Sequence, residues 1–413
     1  MGILSDSRRE STVCGSQCYL QNQSRNKAMN RTEATLPDLF FSFLRLGITA
    51  FGGPAMIAYI RELAVERKRW LDDETLRSGV ALCQTIPGAT SMQMSAYVGL
   101  RARGVAGAAV SFIGFVLPAF AIMAVLGVIY TRVSSLPAVI SVFSGLHVLV
   151  VAIVANATFF FGKTTLKKWP GFAVAALATT AFLLSLHPIM VIGLSAAVGL
   201  VLLTDHIATP RATDDPPRLS TLKPVMLMSL AIVLLLVALF FINRTLFALG
   251  ALMLRIDLFA FGGGFASVPL MFHEVVSVRS WLPPNVFMDG IALGQVTPGP
   301  IVITATFVGY MVKGIVGATV ATIGVFTPSF LMVVGIAPYF DRLRTSSRFV
   351  GALNGILCSF VGLLIAVTVR FTLNINWGPA HIVLAILALI ALYRKVDILW
   401  VVLAGIVYSV VFF

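Results

Sequence analysis

The chain carries one passage twice. Residues 51–53 read Phe-Gly-Gly and so do residues 261–263, with Arg45 ahead of the first copy and Arg255 ahead of the second. Trp70-Leu71 returns as Trp281-Leu282, and Gln84-Thr-Ile-Pro87-Gly88 returns as Gln295-Val-Thr-Pro298-Gly299. Tyr97-Val-Gly99 with Gly104-Val-Ala-Gly107 returns as Phe307-Val-Gly309 with Gly314-Ile-Val-Gly317. The order holds with only single-residue gaps, so the chain is two copies of one half. In an apolar chain this is the plan of secondary transporters, whose site lies where the copies meet.

The chain is apolar. Of 413 residues, 58% are hydrophobic and 11% charged, whereas a soluble domain is about a quarter charged. The mean hydropathy is +0.94. Most stretches between polar loops reach the roughly 20 residues that a helix needs to cross the hydrocarbon core. An integral membrane protein follows, with no room for a soluble catalytic domain. The net charge of +13 reads first as topology, because cytoplasmic loops collect Lys and Arg. It reads second as attraction for an anionic substrate, and it does not call for nucleic acid.

Residues 1–35 are polar, lack the apolar core of a signal peptide, and read as a disordered tail, with Met29 as an alternative start. Cys14 and Cys18 lie in that tail, and Cys83 and Cys358 lie in apolar stretches. No paired metal-ligand spacing is present, so neither metal nor cofactor is expected.

The organisation expected is the tail, a first transmembrane repeat over 36–204, a polar loop with an unpaired linker helix over 205–243, and a second repeat over 244–413. The fold class is an all-α polytopic membrane protein with about 13 apolar stretches of spanning length. If each stretch crosses once, an odd number of crossings separates the copies and the second is upside down, an inverted repeat. The distribution of Lys and Arg then puts the N-terminus in the cytoplasm, with one exception: Arg61, Arg67, Lys68, Arg69 and Arg77 fall outside. If the Gly-Gly segments are re-entrant hairpins, that loop moves inside and the copies become parallel. The unpaired stretch at 224–242 favours inversion.

The chemistry is expected at the breaks. Gly52 and Gly53, and Gly262, Gly263 and Gly264, interrupt apolar stretches. Each glycine weakens a helix by about 1 kcal/mol, and irregular backbone survives in a membrane only where it is buried in protein or lines a cavity. Pro87-Gly88 and Pro298-Gly299-Pro300 make a second break in each half. A half-helix that starts after such a break points free N–H groups and a positive dipole end at an anion. Close packing of small residues is the competing reading for the glycines, and a kink for the prolines.

Arg45 and Arg255 are basic residues well inside apolar stretches. Such residues are costly in a membrane and usually functional, and Arg grips oxyanions with two hydrogen bonds. A buried ion pair, such as Arg45 with Asp38, is the alternative. Gln84 and Gln295 either donate to oxyanion oxygens or cap the broken helices, and Thr297 and Thr304 are further donors. Asp257 and His147 are candidates for a coupling proton, against a packing role for His147. Glu62 and Glu274 read as solvated loop residues before they read as gates. The chain has no nucleotide-binding P-loop, no Gly-x-Ser-x-Gly elbow and no His-Glu-x-x-His. It is therefore expected to be no enzyme and to draw no energy from ATP bound to itself.

Phe-Gly-Gly-Pro at 51–54, Trp-Leu at 70–71 and 281–282, Phe-Gly-Gly-Gly at 261–264 and Gly-Gln-Val-Thr-Pro-Gly-Pro at 294–300 together resemble the chromate transporter family in its long two-domain form. The resemblance covers residues 36–413. It implies a carrier of the bacterial inner membrane that exports chromate and confers resistance, with sulfate as a structural analogue that competes or exchanges. Its partners would be these anions and the lipid bilayer, with a homodimer left open. Ala89 stands where the family more often has a second Pro, and Gly264 stands opposite Pro54. Both departures bear on whether the two halves share one role. The alternatives are a carrier for sulfate or another tetrahedral oxyanion, and an anion channel. A chromate reductase is disfavoured because no redox centre is apparent.

Overall fold

The computed structural model describes residues 33–51, 55–203, 222–340 and 346–413. The tail cysteines, Gly52, Gly53 and the 205–221 loop lie outside the described residues. Among the described residues the chain is helical throughout, with no strand.

The first half opens with two helical hairpins. In the first, α1 (Leu36–Thr49) is followed by α2 (Ala55–Arg61), which continues as a π-helical turn over Glu62–Arg67. Thr35 caps α1 by accepting from the Asp38 amide. Lys68 Nζ reaches Asp38 Oδ1 at 2.6 Å, and Trp70 stacks on Phe43 with centroids 6.5 Å apart. The chain has thus returned to the face it entered from.

The second hairpin pairs α3 (Asp73–Thr85) with the first limb of α4 (Thr90–Val133). Gly79 lies directly under the Tyr97 ring, whose hydroxyl donates to Thr75 O at 3.2 Å. Helix α4 is two limbs. At Arg103-Gly104 the backbone leaves helical geometry, with Gly104 at φ 66°. The chain folds back so tightly that Gly99 and Gly107 meet backbone to backbone. Arg61 Nε donates to Asp73 Oδ1 at 2.8 Å and holds that carboxyl below the usual carboxylate range. Arg103 Nε donates to Ala34 O at 2.8 Å. All four ends of the two hairpins therefore lie on one face of the molecule.

The second limb of α4 crosses to the other face. It is followed by α5 (Pro137–Thr165), the short pair α6 (Trp169–Leu183) and α7 (Pro188–Leu202), and α8 (Leu222–Ile242). The second half then repeats the plan. α9 (Arg244–Leu258) and α10 (Gly264–Phe272, continued by a π-helical turn over His273–Val278) form its first hairpin, tied by an Arg255–Glu274 ion pair. α11 (Pro284–Val296) and the first limb of α12 (Thr304–Ile336, preceded by a 3-10 turn at Ile301–Ile303) form its second. Gly290 packs on Phe307 as Gly79 does on Tyr97, and Lys313-Gly314 (φ 59°) reverses the chain so that Gly309 meets Gly317. α13 (Ser347–Leu373), α14 (Pro379–Tyr393) and α15 (Ile398–Phe412) close the chain.

The copies are inverted. Near the far end of α4, Tyr130 packs edge-on against Phe307 with centroids 5.1 Å apart, and Gly127 packs against Tyr310. Those partners sit at the base of the second half's hairpin, so its hairpins enter from the opposite face. The passages between the copies are the second limb of α4, α5, α6, α7 and α8, an odd number. Helix α8, without counterpart in the other half, supplies the odd one. The expected inversion therefore holds, although the Gly-Gly segments, and the Pro-Gly segments as well, are re-entrant. Re-entry does not make the copies parallel because two hairpins per half are re-entrant. The count of about 13 apolar stretches is not a count of crossings, since four of those stretches are hairpins.

Among the described residues five helices are long and apolar enough to cross a membrane: 90–133, 137–165, 223–242, 301–339 and 347–373. The pairs α6–α7 and α14–α15 have 15 residues per helix, about 22 Å each, and they are exchanged between the halves. α6 and α7 lie along α13 of the second half, where Gly362 and Gly355 admit the backbones of Ala175 and Ser195. α14 and α15 lie along α5 of the first half, where Gly145 receives Ser409 and Leu149 fits against Gly405.

Candidate functional site

The hairpin tips of the two halves meet. Gly88 N–H donates to Ala260 O at 3.0 Å, and Gly299 N–H donates to Ala50 O at 3.0 Å. The two contacts are related by the repeat: each Pro-Gly tip holds the last residue before the Gly-rich turn of the other half. The local sequence explains the shape. Pro87 and Pro298 lack an N–H and cannot continue a helix. Gly88 and Gly299 take φ of 118° and 114°, where a Cβ is strongly disfavoured. Buried Gln93 donates from Nε2 to Pro87 O at 2.5 Å and fixes the first turn.

The Gly-rich turn closes the group. Gly262 and Gly263 have φ of 95° and 91°. Gly262 lies against the Phe161 ring, a Cβ on Gly263 would stand 3.3 Å from Thr90 Oγ1, and one on Gly264 would stand 3.2 Å from Ile301 Cγ2. The starts of α4, α10 and the 3-10 turn that leads into α12 are thereby gathered at one place, and α2 begins at the equivalent position. First-turn amides have no acceptor within their own helix and carry the positive end of the dipole. The arriving arms bring carbonyl ends to the same place, but Ala50, Ala260 and Pro87 each have their carbonyl oxygen hydrogen-bonded. The first-turn amides there include those of Thr90, Ser91, Ile301 and Val302, which have no acceptor within their own helices.

The site is not symmetric. Asp257, buried on α9, accepts from Ser329 N at 2.8 Å and Ser329 Oγ at 2.7 Å. The Ser329 hydroxyl in turn accepts from Ala89 N at 3.2 Å. One carboxylate is thus wired to one tip, and its Oδ1 has no hydrogen-bond partner among the described residues. The other half has Gly47 and Ala119 at these positions, and Ala119 Cβ would stand 2.9 Å from a Cβ on Gly299.

The residues expected at the site divide. Gly88, Gly262, Gly263, Gly264, Gly299 and the prolines 87, 298 and 300 are at the tips. Arg45 is exposed on α1, and Asp38 binds Lys68 rather than Arg45. Arg255 pairs with buried Glu274, which also holds Arg279. The ion-pair reading therefore fits Arg255, and Glu274 is no solvated loop residue. Glu62 is one, paired with Arg67 at 2.6 Å on the surface. Gln84 is exposed. Gln295 Nε2 is buried with no partner, facing apolar Leu146, Leu149 and Val402. Thr297 and Thr304 donate to Leu293 O and Ile301 O, both at 2.8 Å, so their hydroxyl protons do not point to an anion. Asp257 does not pair with Arg255, in keeping with the i, i+2 spacing.

His147 does meet an acid: Nε2 lies 2.6 Å from Asp289 Oδ1. Sequence reading missed Asp289, Tyr130, Gln93 and Ser329. The one available signal was an acid in the apolar 286–312 stretch. Among the described residues no group of His, Cys, Asp or Glu has the geometry to hold a metal ion.

Paired re-entrant hairpins in an inverted repeat, their tips joined at the centre, define a polytopic membrane transporter. The family model described as chromate transporter matches residues 37–200 and again 245–410, one match in each half. The chain belongs to the chromate transporter family. It is 43% identical over 389 residues to an uncharacterized transporter of Methanocaldococcus jannaschii, covering 94% of this chain and 97% of that one. It is 29% identical to the chromate transport protein of Cupriavidus metallidurans, covering 88% and 90%. Identity is also 29% to the chromate transport protein of Pseudomonas aeruginosa, covering 81% and 80%. No solved structure matches the chain.

Proposed function

We propose that this chain is a secondary carrier that moves chromate outward across the cytoplasmic membrane and so confers resistance to it. The observation that carries the reading is the reciprocal pair of tip contacts, Gly88 to Ala260 and Gly299 to Ala50, which brings helix starts from both halves to one point. Chromate is a tetrahedral dianion, and backbone amides at helix starts are suited to its oxygens. Relatives named for chromate transport support the substrate.

The face that holds the ends of the first half's hairpins carries Arg61, Arg67, Lys68, Arg69, Arg77, Arg101 and Arg103. By the positive-inside tendency that face, with the N-terminal end of α1, is cytoplasmic. With the interior negative, expulsion of a dianion is favoured by about 2.3 kcal/mol per charge per 100 mV. The joined tips favour a carrier over a channel, because the contacts must part for an ion to pass. Hairpins of opposite halves enter from opposite faces, so parting on one face at a time gives alternating access.

The test is chromate accumulation in cells that express the chain, with and without excess sulfate, beside cells that express Gly88→Ala at equal membrane levels. Lower intracellular chromate, lost in the variant, supports the reading. Unchanged chromate with altered sulfate leaves the carrier and overturns the substrate. Flux that does not saturate overturns the carrier in favour of a channel.

A further inference from the structure

Asp289 is an acid that the tips do not use. It lies on α11, in a hairpin arm of the second half, and its two carboxylate oxygens are both engaged by the first half. His147 Nε2 on α5 is 2.6 Å from Oδ1, and Tyr130 OH on α4 donates to Oδ2 at 2.6 Å. The residue is 5% exposed. Among the described residues these two hydrogen-bond to it. Tyr310 lies near the pair, packed on Gly127 one turn from Tyr130. Among the described residues no Lys or Arg forms an ion pair with it, and His147 is the basic group at its side.

We propose that Asp289, His147 and Tyr130 form a proton-binding site that couples the hairpin's movement to proton transfer. With one shared proton the pair carries no net charge, whether written as imidazolium–carboxylate or imidazole–carboxylic acid. Without it, a carboxylate is buried against neutral partners, which is costly in low dielectric. The joined arrangement therefore holds one proton. Drawing the α11 arm away from α5 separates acid from imidazole, hydrates both and changes the affinity for that proton. By linkage, proton concentration then biases the position of the arm.

A second polar pair involves the same helix. Ser144 is one turn from His147 on α5, and its hydroxyl is 3.0 Å from Nε2 of His381, near the start of α14. The Nδ1 of His381 is buried with no partner. Ser78 and Phe340 stand in the other half where Asp289 and Tyr130 stand here, so the device is one-sided.

The inference rests on the transport reading, and the experiment separates the two. The full chain is reconstituted in liposomes that enclose a pH dye, as wild type, Asp289→Asn and His147→Gln, each checked for insertion. Chromate counterflow without a pH gradient tests the transport reading alone. Chromate-driven pH change, and the response of chromate flux to an imposed pH gradient, test the proton site. Wild type is expected to show both and each variant to lose both. Wild-type chromate flux with neither effect overturns the proposal, as does their persistence in Asp289→Asn. If wild type shows no counterflow, the transport reading fails and infrared difference spectra decide the site. A carboxyl band that changes with pH and vanishes in Asp289→Asn sustains it; its absence from wild type overturns it.

Discussion

At Gly88 the backbone has φ 118°, and a Cβ there would overlap Ser329 Oγ. Gly299 has nearly the same φ, but the nearest atom to a Cβ is Ala119 Cβ at 2.9 Å. Both alanine variants carry backbone strain of about 1–3 kcal/mol. Gly88→Ala should be the worse of the two, because it also pushes on the Asp257–Ser329 bonds. Thermal melts of the purified proteins rank them, and equal melts would mean that the tip relaxes freely.

Asp257→Ala removes the acceptor shared by the buried Ser329 amide and hydroxyl, a loss of about 1–3 kcal/mol. Asp257→Asn keeps an acceptor oxygen and should recover most of that loss. The same melts decide, and if the two variants melt together the hydrogen bonds to Ser329 are not what matters. Arg255→Ala removes one of two cations from buried Glu274, whereas Arg45→Ala removes an exposed side chain. The first should lower the melting temperature clearly more than the second. That difference was not legible in the sequence, where both arginines stand at the same place in the repeat. The distinction comes from Glu274, on the returning arm of the hairpin, and from Leu63 at the matching position in the first half.

At the scale of the element, the hairpins depend on glycine pairs. Gly99 with Gly107, and Gly309 with Gly317, meet with carbonyl oxygens where a Cβ would stand. Gly309→Val should prevent the arm from folding back, and the variant should be scarce in membranes by immunoblot. A normal level would show that α12 tolerates an open bend. Sequence reading placed the breaks correctly, because a Pro or paired Gly in an apolar stretch has few other uses. It did not tell a hairpin from a crossing. Two short apolar arms around a break have the same hydropathy and total length as one kinked span. What separates them is contact across the turn, as between Asp38 and Lys68, and no local pattern records it. The positively charged 61–77 loop was the one hint, and it is now explained by its lying on the same face as the start of α1.

The whole molecule is assembled by exchange. α6 and α7 clad α13, and α14 and α15 clad α5, so neither half covers its own long helix. Division within 205–221 into two chains should give stable protein when both are expressed and little when the first is expressed alone, as read by membrane levels. A first half that accumulates alone would show that lipid can replace the exchanged pair. The repeat itself was plain from the motifs, and its inversion followed from parity and an unpaired span. The exchange was not legible, because apolar helices without hydrophilic faces carry no address for their neighbours.

Opposed entry of the two sets of hairpins has a consequence for how such a molecule could have begun. A gene encoding a single half would make a polypeptide that needs a twin with its ends on the other side of the bilayer. Such a protein would have to insert both ways up in comparable amounts, with no charge bias to favour either. Fusion through one added helix, α8, removes that requirement: once the first half is inserted, the second has only one way to lie.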